Sequence, residues 1–486
     1  MQPVLRFLTD ELADRVIDEA RDLLCCLGME IHNRRALELL GDHGARVDHD
    51  EQHAWFTADL IDAALGAAPE SFALFDALGS QTHDLGGDRV HFAPGSSAIR
   101  YLDPDTGRMR RPTTADYVRY AKVVTQLPDI AAQSTAFIPG DVPGPVQDSY
   151  RLYLNLKHGV KPVVTGSFSV PGFEVMRDLL LAVRGSAEDL RAKPLAVFSC
   201  APTTPLQWSD ITSQNLLDCA AAGIPVEIPT MPLAGFTSPV TVIGTLAQHA
   251  AETMSGVILA QLVSPGAKVL YGGSPAPFDI RYETTPMGAA ETWLLDAGLN
   301  EIGKRLRLPT QAYIALSDAK GLDAQAGLET GMGAVVAVLS GINSISGPGM
   351  LDFENCQSVE KLVVDHEIAG LALRLARGVT PRDDFPVRPL VEELLREGHL
   401  LISDHSMQHL AEEHHFPGAV IERANQSRWL EEGGRSLQAK ARAAADTLEN
   451  SWTAPALDDS VFTELDRRMT EAASAHGMDR LPEAGV

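Results

Sequence analysis

Between about residue 130 and residue 350 the chain alternates short β-type runs with longer segments whose apolar positions recur at three- and four-residue spacing. The runs lie at 130–137, 162–168, 194–201, 225–231, 268–273, 309–316 and 343–348. The stretches at 209–223, 240–262, 288–306 and 323–339 carry the helical period. Strands that are each followed by a helix predict a parallel sheet, because a parallel neighbour is reached only through a crossover. Seven such runs within about 220 residues favour a sheet closed on itself. The predicted fold class is therefore α/β, a (β/α)8 TIM barrel. Its eighth strand is not marked; 350–356 and 400–403 are the two places where one fits.

The flanking segments differ in pattern. Residues 9–68 read as helical, with Leu12, Val16, Ile17, Ala20, Leu23 and Leu24 at helical spacing and Asn33 placed to cap a second helix ending near Gly44. From 72 to 112, turn clusters such as Leu85-Gly86-Gly87-Asp88 separate short apolar runs, which predicts β-hairpins. A helix from about Thr114 to Thr125 leads into the alternating region. After 379 the chain reads as mostly helical and ends in a charged, Ala-rich tail. The predicted division is a helical and hairpin extension at 1–128, the barrel at 129–378, and a helical extension at 379–486.

Composition narrows the function classes. A hydrophobic content of 45% and a charged content of 22% are those of an ordinary globular protein with a large core. The formal charge of −25 disfavours nucleic acid, whose phosphates it repels. Five cysteines without framework spacing suggest reduced thiols and a cytoplasmic setting. The stretch Met1–Phe7 lacks a basic segment followed by an apolar one, so no signal peptide is expected. No apolar run reaches the ~18 residues of a membrane span. The oligomeric state stays open, a homo-oligomer included.

The ends of the predicted strands carry aromatic and small residues: Phe137, Trp208, Phe236, Tyr271 and Tyr313, with Gly272, Gly273, Gly347 and Gly349. In a barrel these converge on one mouth, where glycines let a flat ligand approach backbone and aromatic faces hold a quaternary ammonium. Each aromatic could equally pack the barrel. Glu227 lies inside the fourth run and Asp318 closes the sixth; a carboxylate in a barrel interior needs a cation or a partner. Asp318 could also cap the following helix. Lys320 invites a Schiff-base reading, although its position in a loop suits a solvated or paired lysine better. His405 and His409 stand one helical turn apart, as two zinc ligands do, but no third ligand is marked and no bound metal is expected. No phosphate-binding glycine-lysine loop and no nucleophile elbow occurs.

Several co-linear segments together resemble the trimethylamine methyltransferase (MttB-like) family. They are Phe72 with Asp84-Leu85-Gly86-Gly87, Tyr101 to Arg108, Ser317-Asp318-Ala319-Lys320 with Asp323 to Gly327, Gly341-Ile342-Asn343 with Gly347 to Met350, Lys361 to Glu367, and His405, His409, Arg423 and Trp429. The resemblance implies a barrel whose mouth accepts a methylated amine and the corrinoid of a partner protein, with cob(I)alamin taking a methyl group as the amine leaves. Where archaeal members carry pyrrolysine, at about Ala315 or Leu316, this chain has an ordinary apolar residue. That departure favours a quaternary substrate such as glycine betaine, whose leaving amine needs no covalent activation. On this reading Asp318 and Glu227 act on the substrate, the five aromatics and Gln325 (or Gln207, toward a substrate carboxylate) bind it, and the four glycines approach the corrinoid. The alternatives are a Schiff-base lyase using Lys320, a non-catalytic betaine-binding protein, and a zinc-dependent methyltransferase using the His405 cluster.

Overall fold

The computed structural model describes residues 3–382 and 384–482; the first two residues of the amino-terminal stretch and the last four of the tail lie outside the described residues. Eight parallel strands form the centre: β1 (His91–Ala93), β2 (Gln133–Ser134), β3 (Val163–Thr165), β4 (Ala196–Ser199), β5 (Val226–Thr230), β6 (Val269–Gly273), β7 (Thr310–Tyr313) and β8 (Ser344–Ser346). They pair in the order β1-β8-β7-β6-β5-β4-β3-β2. A parallel bridge between Phe92 and Ile130 joins β1 to the approach of β2 and closes the ring. A helix follows each strand: α1 (Thr114–Val124), α2 (Gln147–His158), α3 (Val170–Arg184), α4 (Asp210–Ala222), α5 (Val242–Val263), α6 (Ala290–Arg305), α7 (Ala324–Ser340) and α8 (Val359–Ala376). The result is the (β/α)8 barrel that the alternation predicts.

The eighth strand stands elsewhere than expected. It is β1, which opens the barrel from within the segment before residue 129. Three residues are too few to show any periodicity, so the sequence hides it. Met350–Leu351 and Cys356–Gln357 instead form a small hairpin, extended by Arg100–Leu102 and Met109–Arg110. Residues 400–403 lead into a helix, Asp404–Glu413. The amino-terminal segment also departs from all-helical. Between the helices Asp10–Asp22, Arg34–Asp42 and Ala58–Ala67 lies a sheet of three-residue strands, Met29–Ile31, Arg46–Asp48 and His53–Trp55, paired to Gln207–Trp208.

Alternation along the strands sorts side chains between lumen and helices. In β5, Ile228 packs outward beneath α5 near Gly256 while Glu227 turns inward. The predicted hairpin is present as Ser71–Phe75 paired to Gln81–Gly86. Its Phe72, Leu74 and Leu85 bury against the lumen-facing Val197 of β4 and Leu270 of β6, plugging the amino-terminal end of the barrel. Two carboxy-terminal helices complete the shell, Leu437–Ser451 on α8 and α1 and Asp459–Ser474 on α3 and α2. Among the described residues no helix is long and apolar enough to cross a membrane.

Candidate active site

The carboxyl ends of β5 and β7 bring Glu227 and Tyr313 together inside the barrel. Glu227 is fully buried. Its Oε1 accepts from the Ser199 hydroxyl and, at 3.5 Å, from the Tyr313 hydroxyl, while Oε2 is buried with no partner among the described residues. Tyr313 is held from the other side by Ser96 at 3.0 Å. Burial raises the Glu227 carboxyl from an ordinary 4.5 to about 7, against the opposing effect of the two hydroxyls.

Asp318 follows β7 and accepts backbone N–H groups from Met287 (3.0 Å) and Gly288 (2.9 Å), tying this loop to the one before α6. Burial still lifts it to about 6. Glu329 on α7 fixes the turn by accepting from the Ser317 hydroxyl at 2.6 Å and the Asp318 N–H at 2.8 Å. Ala315, at φ +64°, makes the bend after β7 and is buried with Leu316. Gly333 on α7 comes so close to this bend that a Cβ there would strike the Ala315 N and Cα.

A third carboxylate, Glu354, was not foreseen. It sits at the tip of the hairpin after β8, where Asp352, Phe353 and Glu354 all take left-handed backbone (φ 53°, 56° and 66°). Successive non-glycine residues there cost about 1–2 kcal/mol each. That cost is consistent with a loop shaped to aim a side chain. Part of Glu354 reaches the surface, yet its Oε1 is buried without a partner. Burial, then the nearby Asp318 and Glu227, push its carboxyl to about 8. Asp296 on α6 is fully buried with neither oxygen partnered, and burial plus the Glu354 charge raise it strongly as well. Among the described residues no lysine or arginine forms an ion pair with any of these four carboxyls. The one sequence signal for Glu354 was its place in a charged loop after the glycines at 347 and 349; Asp296 gave none, being one of many acids on a helix.

Beside this cluster a cavity of about 360 Å³ opens to solvent, lined by Asp318, Gln325, Glu329, Phe353, Tyr282 and Lys320 among others. Hollows of about 430 and 470 Å³ lie against the carboxy-terminal helices, the second also against α8 and the approach to β2, so size alone does not mark the site. The Lys320 ammonium donates to the Asp318 carbonyl (2.7 Å), pairs with Asp352 (2.9 Å) and lies 3.8 Å from the Phe353 ring centroid. A lysine engaged in this way is a poor amine nucleophile. Around the rim, Phe168, Phe236 and Tyr282 are 63%, 66% and 74% exposed, and Phe236 stacks on Phe278 at 4.7 Å.

The other expected lining residues lie elsewhere. Phe137 packs among Tyr101, Tyr117 and Tyr120. Trp208 donates to Ser255 on α5 at 2.8 Å, and Tyr271 turns outward against His249 and Gly303. All three are fully buried on the helix side of the barrel. Gln207 belongs to the small sheet and donates to His32 at 2.9 Å. The glycines serve packing: a side chain would strike Gln311 at Gly272, His249 at Gly273, Ile314 at Gly347 and Gln357 at Gly349. Gln325 stands at the cavity edge, donating to Glu329 at 2.8 Å. The His405 cluster, named for the zinc-dependent alternative, stands apart from this mouth: it lies beyond the carboxyl end of α8, at the opposite end of the barrel.

A closed barrel with a buried, cation-poor carboxylate cluster at the carboxyl ends of its strands defines a barrel enzyme. A family model described as trimethylamine methyltransferase matches residues 1–474, and the chain belongs to that family. Over 472 residues it is 26% identical to a trimethylamine methyltransferase of Desulfitobacterium hafniense (strain DSM 10664 / DCB-2), covering 97% of this chain and 95% of that one. It is 27% identical over 467 residues to a glycine betaine methyltransferase of the same species (strain Y51), covering 95% and 96%. A trimethylamine methyltransferase of Methanosarcina barkeri (strain Fusaro / DSM 804) is 31% identical over 391 residues, covering 77% and 76%. The crystal structure of the Methanosarcina barkeri monomethylamine methyltransferase aligns with a TM-score of 0.51 at 12% identity, over 92% of this chain and 89% of that one, which supports the barrel fold.

Proposed function

We propose that this methyltransferase takes a methyl group from a small quaternary amine, of the glycine betaine kind, and passes it to a corrinoid carried by a partner protein. The observation that carries the reading is the cluster of Glu227, Asp318, Glu354 and Asp296 without a basic partner. Burial without a cation disfavours the ionised form of these carboxylates; a permanent cation in their midst favours the charged form and is bound in return. Tyr313, bonded to Glu227, offers an aromatic ring beside them.

The leaving group suits these residues. A quaternary nitrogen departs as a neutral tertiary amine, so no proton must be delivered to it. The cationic charge vanishes as the methyl moves, which would strand an ionised carboxylate in a dry lumen. Glu227, at about 7, resolves this by exchanging a proton with bulk solvent at neutral pH, so that no uncompensated charge stays behind in the lumen. The chain thus positions the cation and holds a proton at the Glu227 carboxyl. When its carrier docks, the corrinoid supplies the cobalt nucleophile that accepts the methyl. The exposed Phe168, Phe236 and Tyr282 fit the rim of such a docking surface, since apolar side chains of this size seldom ring a mouth that faces only water.

The test is methylation of free cob(I)alamin under reducing conditions with glycine betaine, other betaines, carnitine and trimethylamine. Turnover of at least one quaternary amine is expected. Turnover of trimethylamine with none of the quaternary amines would overturn the substrate class, and binding without any methyl transfer would favour a sensing role.

A further inference from the structure

Beyond the barrel mouth, Asp384, His405 and His409 bring one ligand atom each within 4.8 Å of one another, and we propose that they bind a divalent zinc-class ion that staples the carboxy-terminal extension to the barrel. His405 and His409 project from one face of the helix Asp404–Glu413, their ring centroids 5.0 Å apart. The loop after α8 supplies Asp384, whose Oδ1 lies 3.0 Å from His405 Nε2. Two bonds of about 2.0–2.1 Å at the tetrahedral angle place donors about 3.3 Å apart, so this pair needs little movement to share an ion. His409 Nδ1 is buried with no hydrogen-bond partner among the described residues, an imidazole nitrogen left available for a ligand. All three side chains are half-buried.

The geometry is set in advance. Arg382, two residues before Asp384, bonds Glu412 and Glu413 at 2.8 Å each, and Arg374 at the end of α8 donates to the Glu413 carbonyl at 2.8 Å. These contacts hold loop and helix together and occupy the neighbouring acids, leaving two imidazoles and one carboxylate as the donor set and a water for the fourth position.

The location argues for a structural role. The helices Arg388–Glu397 and Asp404–Glu413 have no fully buried residue, whereas the barrel helices bury a whole face. An element that buries so little apolar surface gains little from the hydrophobic effect, and a coordinated ion is one way to hold it. The amino-terminal end of a barrel is also where stability rather than chemistry is built.

The test uses the full chain freed of any affinity tag, stripped with chelator and titrated with zinc alone. One zinc per chain is expected, with affinity falling on the order of 100-fold in both H409Q and D384N. Zinc should also slow protease cleavage within 379–416 in the parent chain and in neither ligand variant. Melting curves check that the variants are folded; if one is not, the parent's stoichiometry and zinc-dependent protection decide alone. No uptake at micromolar zinc, equal affinity in parent and variants, or cleavage indifferent to zinc would overturn the site.

Discussion

Replacing Glu227 with Gln removes one charge and keeps the shape. Gln retains an acceptor for the Ser199 and Tyr313 hydroxyls, so the lumen should stay folded. Methyl groups keep a quaternary nitrogen about 5 Å from a carboxylate, where an effective dielectric of ~20 gives an attraction of about 3 kcal/mol. Half of the Glu227 carboxyls are already ionised at pH 7, given a pKa of about 7, so ionising the rest costs under about 0.5 kcal/mol. Asp318 and Glu354 become easier to ionise once their neighbour is neutral, which returns part of the loss. The net is about 2 kcal/mol, or roughly 30-fold weaker binding of glycine betaine or tetramethylammonium by calorimetry. The pH dependence gives the sign. A cation binds the ionised forms, so parental affinity should rise from pH 5.5 to pH 8 as the groups at about 6, 7 and 8 lose their protons, and the rise should be shallower in E227Q. Equal affinities for parent and variant at pH 8, or a flat parental profile, would refute the cation-holding role of Glu227.

Three further outcomes follow from the same geometry. Because the carboxyl values of Glu227, Glu354 and Asp318 are raised in the fold, their contribution to stability is complete below about 4.5 and is lost as pH rises toward about 8. Ligand-free melting temperature should therefore fall over that window and recover with a saturating quaternary amine; a pH-independent melting curve would count against the cluster. Lys320→Ala removes a rim ion pair worth about 0–1 kcal/mol, so turnover should stay within about fivefold, and borohydride with a panel of keto acids and aldehydes should trap no adduct on the parent chain; an adduct trapped on the parent and lost in the variant would restore the lyase reading. Phe236→Ala should raise the KM for the carrier protein about tenfold and leave methylation of free cob(I)alamin unchanged, whereas equal effects on both would place Phe236 in substrate binding.

How much of this was legible in the sequence depended on element length and on strand parity. Seven of the barrel strands announced themselves because each lies in a short β-type run that alternates with a helical stretch. β1, with three residues, could not, nor could the three-residue strands of the amino-terminal sheet. Glu227 and Asp318 were visible as charges where apolar residues belong. Which way a strand residue faces is invisible until the register is fixed: Tyr271 and Tyr313 both sit on barrel strands, yet one faces helices and the other the lumen. Phe137 and Trp208 were misplaced for a related reason, since a strand-end aromatic satisfies the shell as readily as the mouth. Glu354 depends on a left-handed hairpin tip, and Asp384 on a fold that returns a loop to a helix about twenty residues later; neither leaves a local pattern.

The hairpin of 71–86 has a kinetic meaning. With Phe72, Leu74 and Leu85 stoppering the floor, the lumen is closed at that end, which leaves the carboxyl-end mouth, the landing place proposed for the methyl carrier, as the way in and out. Traffic through such a well is compulsory in order: the amine goes in before the carrier covers it and comes out only after the carrier has gone. Excess carrier should then inhibit at low amine concentration by sealing empty wells, a signature that a barrel open at both ends would not produce.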